Sequence, residues 1–313
     1  MNIVDLFIPI FVTFYILKIS IPYLKIHIPA IPTNRGMHSI IKPTGGGIFF
    51  VMIYIIFSIF KGFYIPLISL PIALIGLIDD KFNISSKTRF IAQTITVITI
   101  IIFLKNSQIN FINNFLENNY LYYFLFIFVG IAIINFINFM DGIDGLICGS
   151  FIVLLFQLNP SQNGIYPLIG ALLGFLILNW HPAKIFMGDS GSLFLGGFIV
   201  SILFKSDNPI DFIKILLLMT PLIIDPSITI IRRLLNRKNI FTPHRLHLYQ
   251  RLVSNGLSHS QVSLIYIISI YLLGIVYKFS NFINLSIASL IIILVGIFID
   301  KKFAKRFSEK NNY

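Results

Sequence analysis

The chain has 313 residues, 56% of them hydrophobic and only 12% charged, with a net charge of +12 and a single cysteine, Cys148. A soluble domain carries about 25% charged residues, so a soluble globular enzyme and a disordered chain are both excluded. No polar domain exists to carry a nucleic-acid interface, an intramolecular disulfide is impossible, and Cys148 reads as a small buried residue.

Apolar runs recur along the whole length, the pattern of a multi-span helical membrane protein. Eleven spans are predicted, over 3–24, 45–61, 63–79, 90–104, 119–138, 143–158, 165–180, 191–205, 210–231, 261–278 and 282–299. The fold class is therefore all-α, one polytopic domain over 1–313. The first run has no basic segment before it and carries Asp5, which fits a spanning helix better than a cleaved signal peptide. The loops 25–44, 80–89, 139–142, 181–190 and 232–260, the tail 300–313 and the adjoining helix ends hold 19 of the 24 Lys and Arg residues. The positive-inside rule makes that side cytoplasmic, with the N-terminus outside and the C-terminus inside. Gly170 and Gly174 form a GxxxG in the seventh span, read as internal helix packing rather than a dimer face.

Asp79, Asp80, Asp141, Asp144 and Asp189 all fall on that same side, and Asp225 lies about 9 Å inside the ninth span at 1.5 Å per residue. Lys and Arg alone set the topology, so this convergence is independent of it. In the first cytoplasmic loop, PTNRGMHSIIKPTGGGIFF, Asn34, Arg35 and His38 precede the glycines 45–47, which either admit a ligand to the backbone or ease helix entry. In LIGLIDDKFNISSKTRF, the adjacent Asp79 and Asp80 repel unless a cation lies between them, and Lys87 and Arg89 can meet phosphate oxygens. The alternative for this segment is a solvated helix end.

In NFMDGIDGL, Asp141 and Asp144 share a face if helical. Helix capping accounts for one of them, but not for Asn138 and two glycines besides. In HPAKIFMGDSGSLFLGG, Asp189 is either an N-cap or a metal ligand in a loop open to phosphate. The loop with TPHRLHLYQRL is the most basic; topology explains its charge but not His244 and His247 beside Arg245 and Arg251. One face with aspartates, cations and glycine-lined helix mouths is the inventory of phosphoryl transfer. No Walker A or G-x-G-x-x-G loop appears, which argues against ATP hydrolysis.

DDxxN at Asp79–Asn83, NxxNFMDGIDGL at Asn135–Leu146, FMGDSGSxxLG at Phe186–Gly196 and the basic, His-containing loop resemble the polyprenyl-phosphate N-acetylhexosamine-1-phosphate transferases. The motifs stand in family order along nearly the whole chain. The resemblance implies an eleven-span membrane enzyme of the bacterial inner membrane, dependent on Mg²⁺ (or Mn²⁺), with its active site on the cytoplasmic face. It implies transfer of a sugar-1-phosphate from a UDP-N-acetyl sugar to undecaprenyl phosphate, with release of UMP. Carried over by motif, Asp79, Asp80 and His247 are catalytic candidates, and Asp189 with Asp80 are metal candidates. Asn138, Asp141, Asp144, Lys87, Asn34, Arg35, His38 and Arg245 are substrate-binding candidates. Two features depart from the family: HLYQ at His247–Gln250 replaces HIHH, and Thr44 stands where arginine is common. The HRLHLYQRL form resembles the subgroup that initiates O-antigen or capsule-type chains. Partners implied are the donor, the lipid phosphate, the bilayer and a homodimer, with no nucleic acid. The competing reading is a transporter of an ion or a lipid-linked intermediate; transporters place their acids near the midplane, whereas these acids gather at one surface.

Overall fold

Each predicted apolar run coincides with a helix or a pair of helices. The computed structural model describes residues 3–32, 36–38, 40–105, 120–158, 164–239, 242 and 244–307. In chain order its helices are α1 (Ile3–His27), α2 (Gly47–Phe60), α3 (Ile65–Ile68), α4 (Leu70–Phe82), α5 (Ser86–Lys105), α6 (Tyr120–Met140) and α7 (Leu146–Gln157). There follow α8 (Tyr166–Asn179), α9 (Gly188–Phe204), α10 (Pro209–Leu218), α11 (Thr220–Leu235), α12 (Leu248–Ser254), α13 (His259–Phe279) and α14 (Phe282–Phe303). The protein is an all-α membrane protein. Five helices, α1, α5, α6, α13 and α14, are long and apolar enough to cross a bilayer. The pair α10–α11, bent by 78°, makes a sixth if it counts as one span. The helices α2, α7, α8 and α9 are apolar but only 12 to 17 residues long, which at 1.5 Å per residue is under the roughly 30 Å of hydrocarbon.

Those short helices occupy the interior. Nearly every residue of α7, α8 and α9 is buried, and a helix apolar all round belongs inside a protein or a membrane. Around them, α1 packs on α8, α4 and α6 on α9, and α13 on α7. The helix α14 presents most of its surface outward. Where α1 meets α8, added Cβ atoms on Gly170 and Gly174 would lie 2.2 Å from Leu6 O and 2.3 Å from Ile10 O. The GxxxG is thus spent on packing within the chain, as its sequence suggested.

A two-residue antiparallel ladder, β1 (Pro29–Ala30) with β2 (Lys42–Pro43), closes the first loop onto the end of α1. The glycines that follow lie along the loop before α9. Gly46 N–H donates to Phe186 O (3.0 Å) and Gly47 N–H to Met187 O (2.8 Å), while Phe186 N–H donates to Pro43 O (2.9 Å). Close backbone approach is what these glycines permit, and the approaching partner is this chain.

The contact between α4 and α9 sets up the site. A Cβ at Gly76 would stand 2.4 Å from Asp189 O and 2.6 Å from Ser190 N. Those are backbone atoms, so the helices would have to part. Gly76→Ala should destabilise by about 1–3 kcal/mol and displace Asp189. A Gly76→Ala protein with wild-type melting temperature and turnover would show that this contact has slack.

Candidate active site

The site is built on four helix ends. α4 stops at Asn83, whose backbone is left-handed (φ 50°) and whose N–H donates to Asp79 O at 2.9 Å. Asn tolerates that conformation better than most residues, so the Asn of DDxxN is the stop signal of the helix that presents both acids. The two acids then diverge. Asp79, buried, accepts from Arg89 Nη1 at 2.8 Å. Asp80 turns to α9, where its Oδ1 accepts from Asp189 N–H (2.9 Å) and its Oδ2 from Ser190 N–H (3.2 Å). Asp80 therefore caps the N-terminus of α9 from a residue 109 positions away. The capped end is electropositive and its first amides have no partner within the helix, so a carboxylate there satisfies both needs.

Asp189 stands in the first turn of that helix. Its Oδ1 accepts from Asn138 Nδ2 (2.9 Å) at the end of α6, and its Oδ2 from Arg89 Nη1 (3.2 Å) at the start of α5. Asn138 also donates to Ser192 Oγ (2.9 Å). One guanidinium nitrogen thus serves two carboxylates, with Asp80 alongside. The donor atoms gathered here are hard oxygens, the set that suits Mg²⁺ rather than a soft metal. Asp141, half-buried, lies between this group and the next. Burial, and then the charges of Asp189, Asp80 and Asp144, push its carboxyl well above the usual range. Such crowding is relieved by a proton or a cation.

The second group surrounds Asp144, which is buried. Its Oδ2 contacts His181 Nδ1 (2.8 Å), accepts from Ala183 N–H (3.1 Å) and lies 3.9 Å from Lys42 Nζ; its Oδ1 lies 3.4 Å from His259 Nδ1. Burial opposes ionisation of Asp144, but bonding to His259, Ala183 and His181 wins and holds it below the usual carboxylate range. Asp144, His181 and His259 present ligand atoms within 4.8 Å of one another, a metal-like spacing. The Lys42 ammonium beside the same carboxylate opposes a second cation, so the group reads as a neutralised acid. Lys42 Nζ also stands 5.2 Å from the ring centre of Phe186, and His38 lies against the same ring at 4.9 Å. His38 is lowered, chiefly by burial and then by Lys42 and Arg245, against opposing pulls from Ala30 and Asp144. Arg245 donates to Gly36 O, joining the first loop to the loop before α12. An aromatic face with a lysine and a neutral imidazole is suited to a nucleoside and its phosphates.

The third group holds α12. Asp225, buried in α11, accepts from Leu248 N–H (2.7 Å), Tyr249 N–H (3.2 Å) and Tyr266 OH (2.7 Å). This is the same device as Asp80: a carboxylate on one helix capping another. His247, just ahead of α12, has Nδ1 3.7 Å from Asp225 Oδ1 and its ring against Phe139 and Tyr249. It is buried beside the end of α6 rather than open to the acidic group. Gln250, where the family has histidine, accepts the His247 N–H at 3.4 Å as a capping-box partner. His244 is lowered to about 3 by burial, then by His247 and Arg233, with Asp225 pulling the other way. It stays neutral.

Of the residues singled out from sequence, Asp79, Asp80, Asn138 and Asp189 converge. Asp141 adjoins them, Asp144 and His38 form the neighbouring wall, and Arg245 reaches that wall's loop. Asn34 and Arg35 lie outside the described residues. Lys87 is exposed; the cation brought among the carboxylates is Arg89. Lys42, Phe186, His181 and His259 were not expected there. Arg89→Ala should cut turnover about 10²-fold, with Arg89→Lys in between, because an ammonium keeps the charge but loses the planar fork. Equal rates for the lysine and alanine variants would show that only bulk charge matters.

Buried carboxylates, a guanidinium and a carboxamide at helix ends, beside a basic aromatic wall, are suited to a membrane-embedded enzyme acting on phosphate groups. A sequence profile of glycosyl transferase family 4 matches residues 62–207. The chain is 33% identical over 273 residues to a probable undecaprenyl-phosphate N-acetylglucosaminyl 1-phosphate transferase of Bacillus subtilis, covering 80% of this chain and 75% of that one. A decaprenyl-phosphate N-acetylglucosaminephosphotransferase of Mycobacterium tuberculosis is 27% identical over 290 residues, 75% and 71% of the two chains. A phospho-N-acetylmuramoyl-pentapeptide-transferase of Staphylococcus epidermidis is 29% identical over 280 residues, 77% and 87%. The chain belongs to the polyprenyl-phosphate N-acetylhexosamine-1-phosphate transferase family of bacterial membrane enzymes.

Proposed function

We propose that this protein transfers an N-acetylhexosamine-1-phosphate from a UDP-sugar to undecaprenyl phosphate, releasing UMP and starting a lipid-linked envelope glycan. The observation that carries the reading is the convergence of Asp79, Asp80, Asp189, Asn138 and Arg89 beside the Lys42, His38 and Phe186 wall. A lipid-phosphate oxygen attacks the β-phosphorus of the donor; that P–O bond forms as the bond from the β-phosphorus to the bridging oxygen breaks, and UMP leaves. Asp79 is a candidate to take the proton of the lipid phosphate. Arg89 and Asn138 orient diphosphate oxygens, and the wall receives the nucleoside. Mg²⁺ fits the oxygen donors of Asp189 with Asp80 or Asp141, and when bound it neutralises charge on the diphosphate. Such a site needs positioning and electrostatics rather than a covalent enzyme intermediate, which supports direct transfer.

The recurrent apolar runs support eleven crossings, and the charge bias supports this site on the cytoplasmic face. The HRLHLYQRL loop supports an O-antigen- or capsule-initiating enzyme. The test is purified protein with undecaprenyl phosphate, Mg²⁺ and a panel of UDP-N-acetyl sugars, read by the mass of the lipid product. A lipid-linked sugar phosphate, formed with stoichiometric UMP only when Mg²⁺ is present, is expected. No product with any donor in the panel would defeat the proposal.

A further inference from the structure

Gln93 of α5 and Asn135 of α6 bind each other side by side. Gln93 Nε2 donates to Asn135 Oδ1 at 3.1 Å, and Asn135 Nδ2 donates to Gln93 Oε1 at 2.8 Å. Asn135 Nδ2 also donates to Ile131 O at 2.9 Å. Gln93 is buried, with Ala92, Thr96 and Val97 buried around it. Farther along the same helix pair, a Cβ on Gly130 would come 2.7 Å from Val97 Cγ1. A reciprocal amide pair is directional, and without Asn135 the buried Gln93 would be a polar group short of its mate, while Asn135, half-buried, would keep only Ile131 O.

The position of this clasp gives it a role. Arg89 is four residues before Gln93 on α5, and Asn138 is three residues after Asn135 on α6. Residues three or four apart share a helix face. The two halves of the clasp therefore lie one turn below the two side chains that grip Asp189 from opposite sides, Arg89 at Oδ2 and Asn138 at Oδ1. The clasp sets both the separation and the rotational phase of α5 against α6. Those two quantities decide whether Arg89 and Asn138 meet one carboxylate together.

We infer that Gln93 is a positioning residue: with Asn135 it locks α5 to α6 so that Arg89 and Asn138 close on Asp189. This rests on the transferase reading only for its kinetic part. Gln93 touches neither the acidic group nor the Lys42, His38 and Phe186 wall, so its loss is felt more in turnover than in donor binding.

The experiment compares Gln93→Leu, the milder Gln93→Asn, and the exchange Gln93→Asn with Asn135→Gln, which restores one long and one short amide. In each single variant kcat should fall about tenfold to a hundredfold, the scale of a misplaced catalytic group. The KM for the UDP-sugar should rise less than kcat falls, by no more than about threefold, since the wall that receives the nucleoside is untouched and only the diphosphate contacts of Arg89 and Asn138 shift. The exchange variant should recover most of kcat. A second readout needs no turnover: the rise in melting temperature of the purified protein on adding Mg²⁺ should shrink in the single variants and return in the exchange. Wild-type kcat and an undiminished Mg²⁺ shift in Gln93→Leu would overturn the inference. So would losses in the single variants that the exchange fails to repair. If the wild type makes no lipid product, the functional reading falls, and the Mg²⁺ shifts still decide the clasp.

Discussion

Replacing Asp189 with asparagine is expected to abolish turnover without unfolding the protein. The substitution keeps an oxygen for Asn138 and leaves the Asp80 cap on the backbone of α9 untouched. What it removes is the charge that Arg89 shares between Asp79 and Asp189, at 2.8 and 3.2 Å. Developing charge on a transferring phosphoryl group is met by preorganised groups, and losing one such group costs about 10²–10³ in rate. Asp189 also orients Arg89 and Asn138, so the upper end applies: about 10³-fold, or about 4 kcal/mol at 1.36 kcal/mol per tenfold. Stability should move the other way. Asp79, Asp80, Asp141 and Asp189 crowd together around one guanidinium, and removing one carboxylate relieves repulsion. The melting temperature should hold or rise while activity is lost, the usual sign of residues kept for function at some cost to the fold. A clear fall in melting temperature would make Asp189 a structural residue instead.

The same carboxylates show what a linear reading can and cannot reach. The sequence indicates that Asp79 and Asp80 belong together, since they are adjacent and costly near hydrocarbon. It does not show that one pairs with a cation and the other caps α9, because a remote cap exists only once α4 and α9 have packed. Asn138 was legible because its motif is local. Arg89 stood beside Lys87 in the sequence reading, and helix phase separates them: Ala92, Gln93, Thr96, Val97, Ile100, Ile101 and Leu104 are the buried positions of α5, and that 3–4 spacing extends back to Arg89 and skips Lys87. A substrate-binding role for Lys87 without Arg89 overlooks the phase of the helix. His181 and His259 carry no such signal, since only tertiary folding brings α13 and the loop before α9 to Asp144.

Helix existence was similarly legible, and helix length to within a few residues; which apolar helices are buried and which can cross a bilayer was not. The apolar runs of α7, α8 and α9 look like spans because buried and lipid-facing helices are equally apolar. From sequence the glycines 45–47 fit either a ligand approach or an eased helix entry. They serve the approach of the Phe186–Met187 backbone, and so bring Phe186 and Lys42 onto one wall.

Asp225 should be the residue whose loss most weakens the fold. Its two oxygens accept from the Leu248 and Tyr249 amides and from Tyr266 OH, at 2.7, 3.2 and 2.7 Å, joining α11, α12 and α13. Alanine there leaves three donors without this acceptor, two of them, the Tyr249 amide and the Tyr266 hydroxyl, buried. Breaking a buried charged network by removing one member costs about 3–5 kcal/mol, a large share of a typical total of roughly 5–15 kcal/mol. The melting temperature in detergent should drop by roughly 10 °C, at about 2–4 °C per kcal/mol for a chain of this order of size. Asparagine should rescue only part, because one of its two polar atoms is itself a donor and faces donors. Thr229→Val is the control: its hydroxyl stands 3.4 Å from Asp225 Oδ1, at the limit of a hydrogen bond, and its loss should shift melting by no more than about 1–2 °C. Turnover should fall with Asp225→Ala beyond the loss of folded protein, since α12 follows directly on His247 and carries Tyr249, whose OH donates to Phe139 O beside Asn138 at 2.9 Å. Measured per folded molecule, kcat should drop about tenfold or more. If Asp225→Ala melts like the wild type, the network contributes little and the cap is a bystander. If it melts early but each folded molecule turns over normally, α12 braces the bundle without shaping the site.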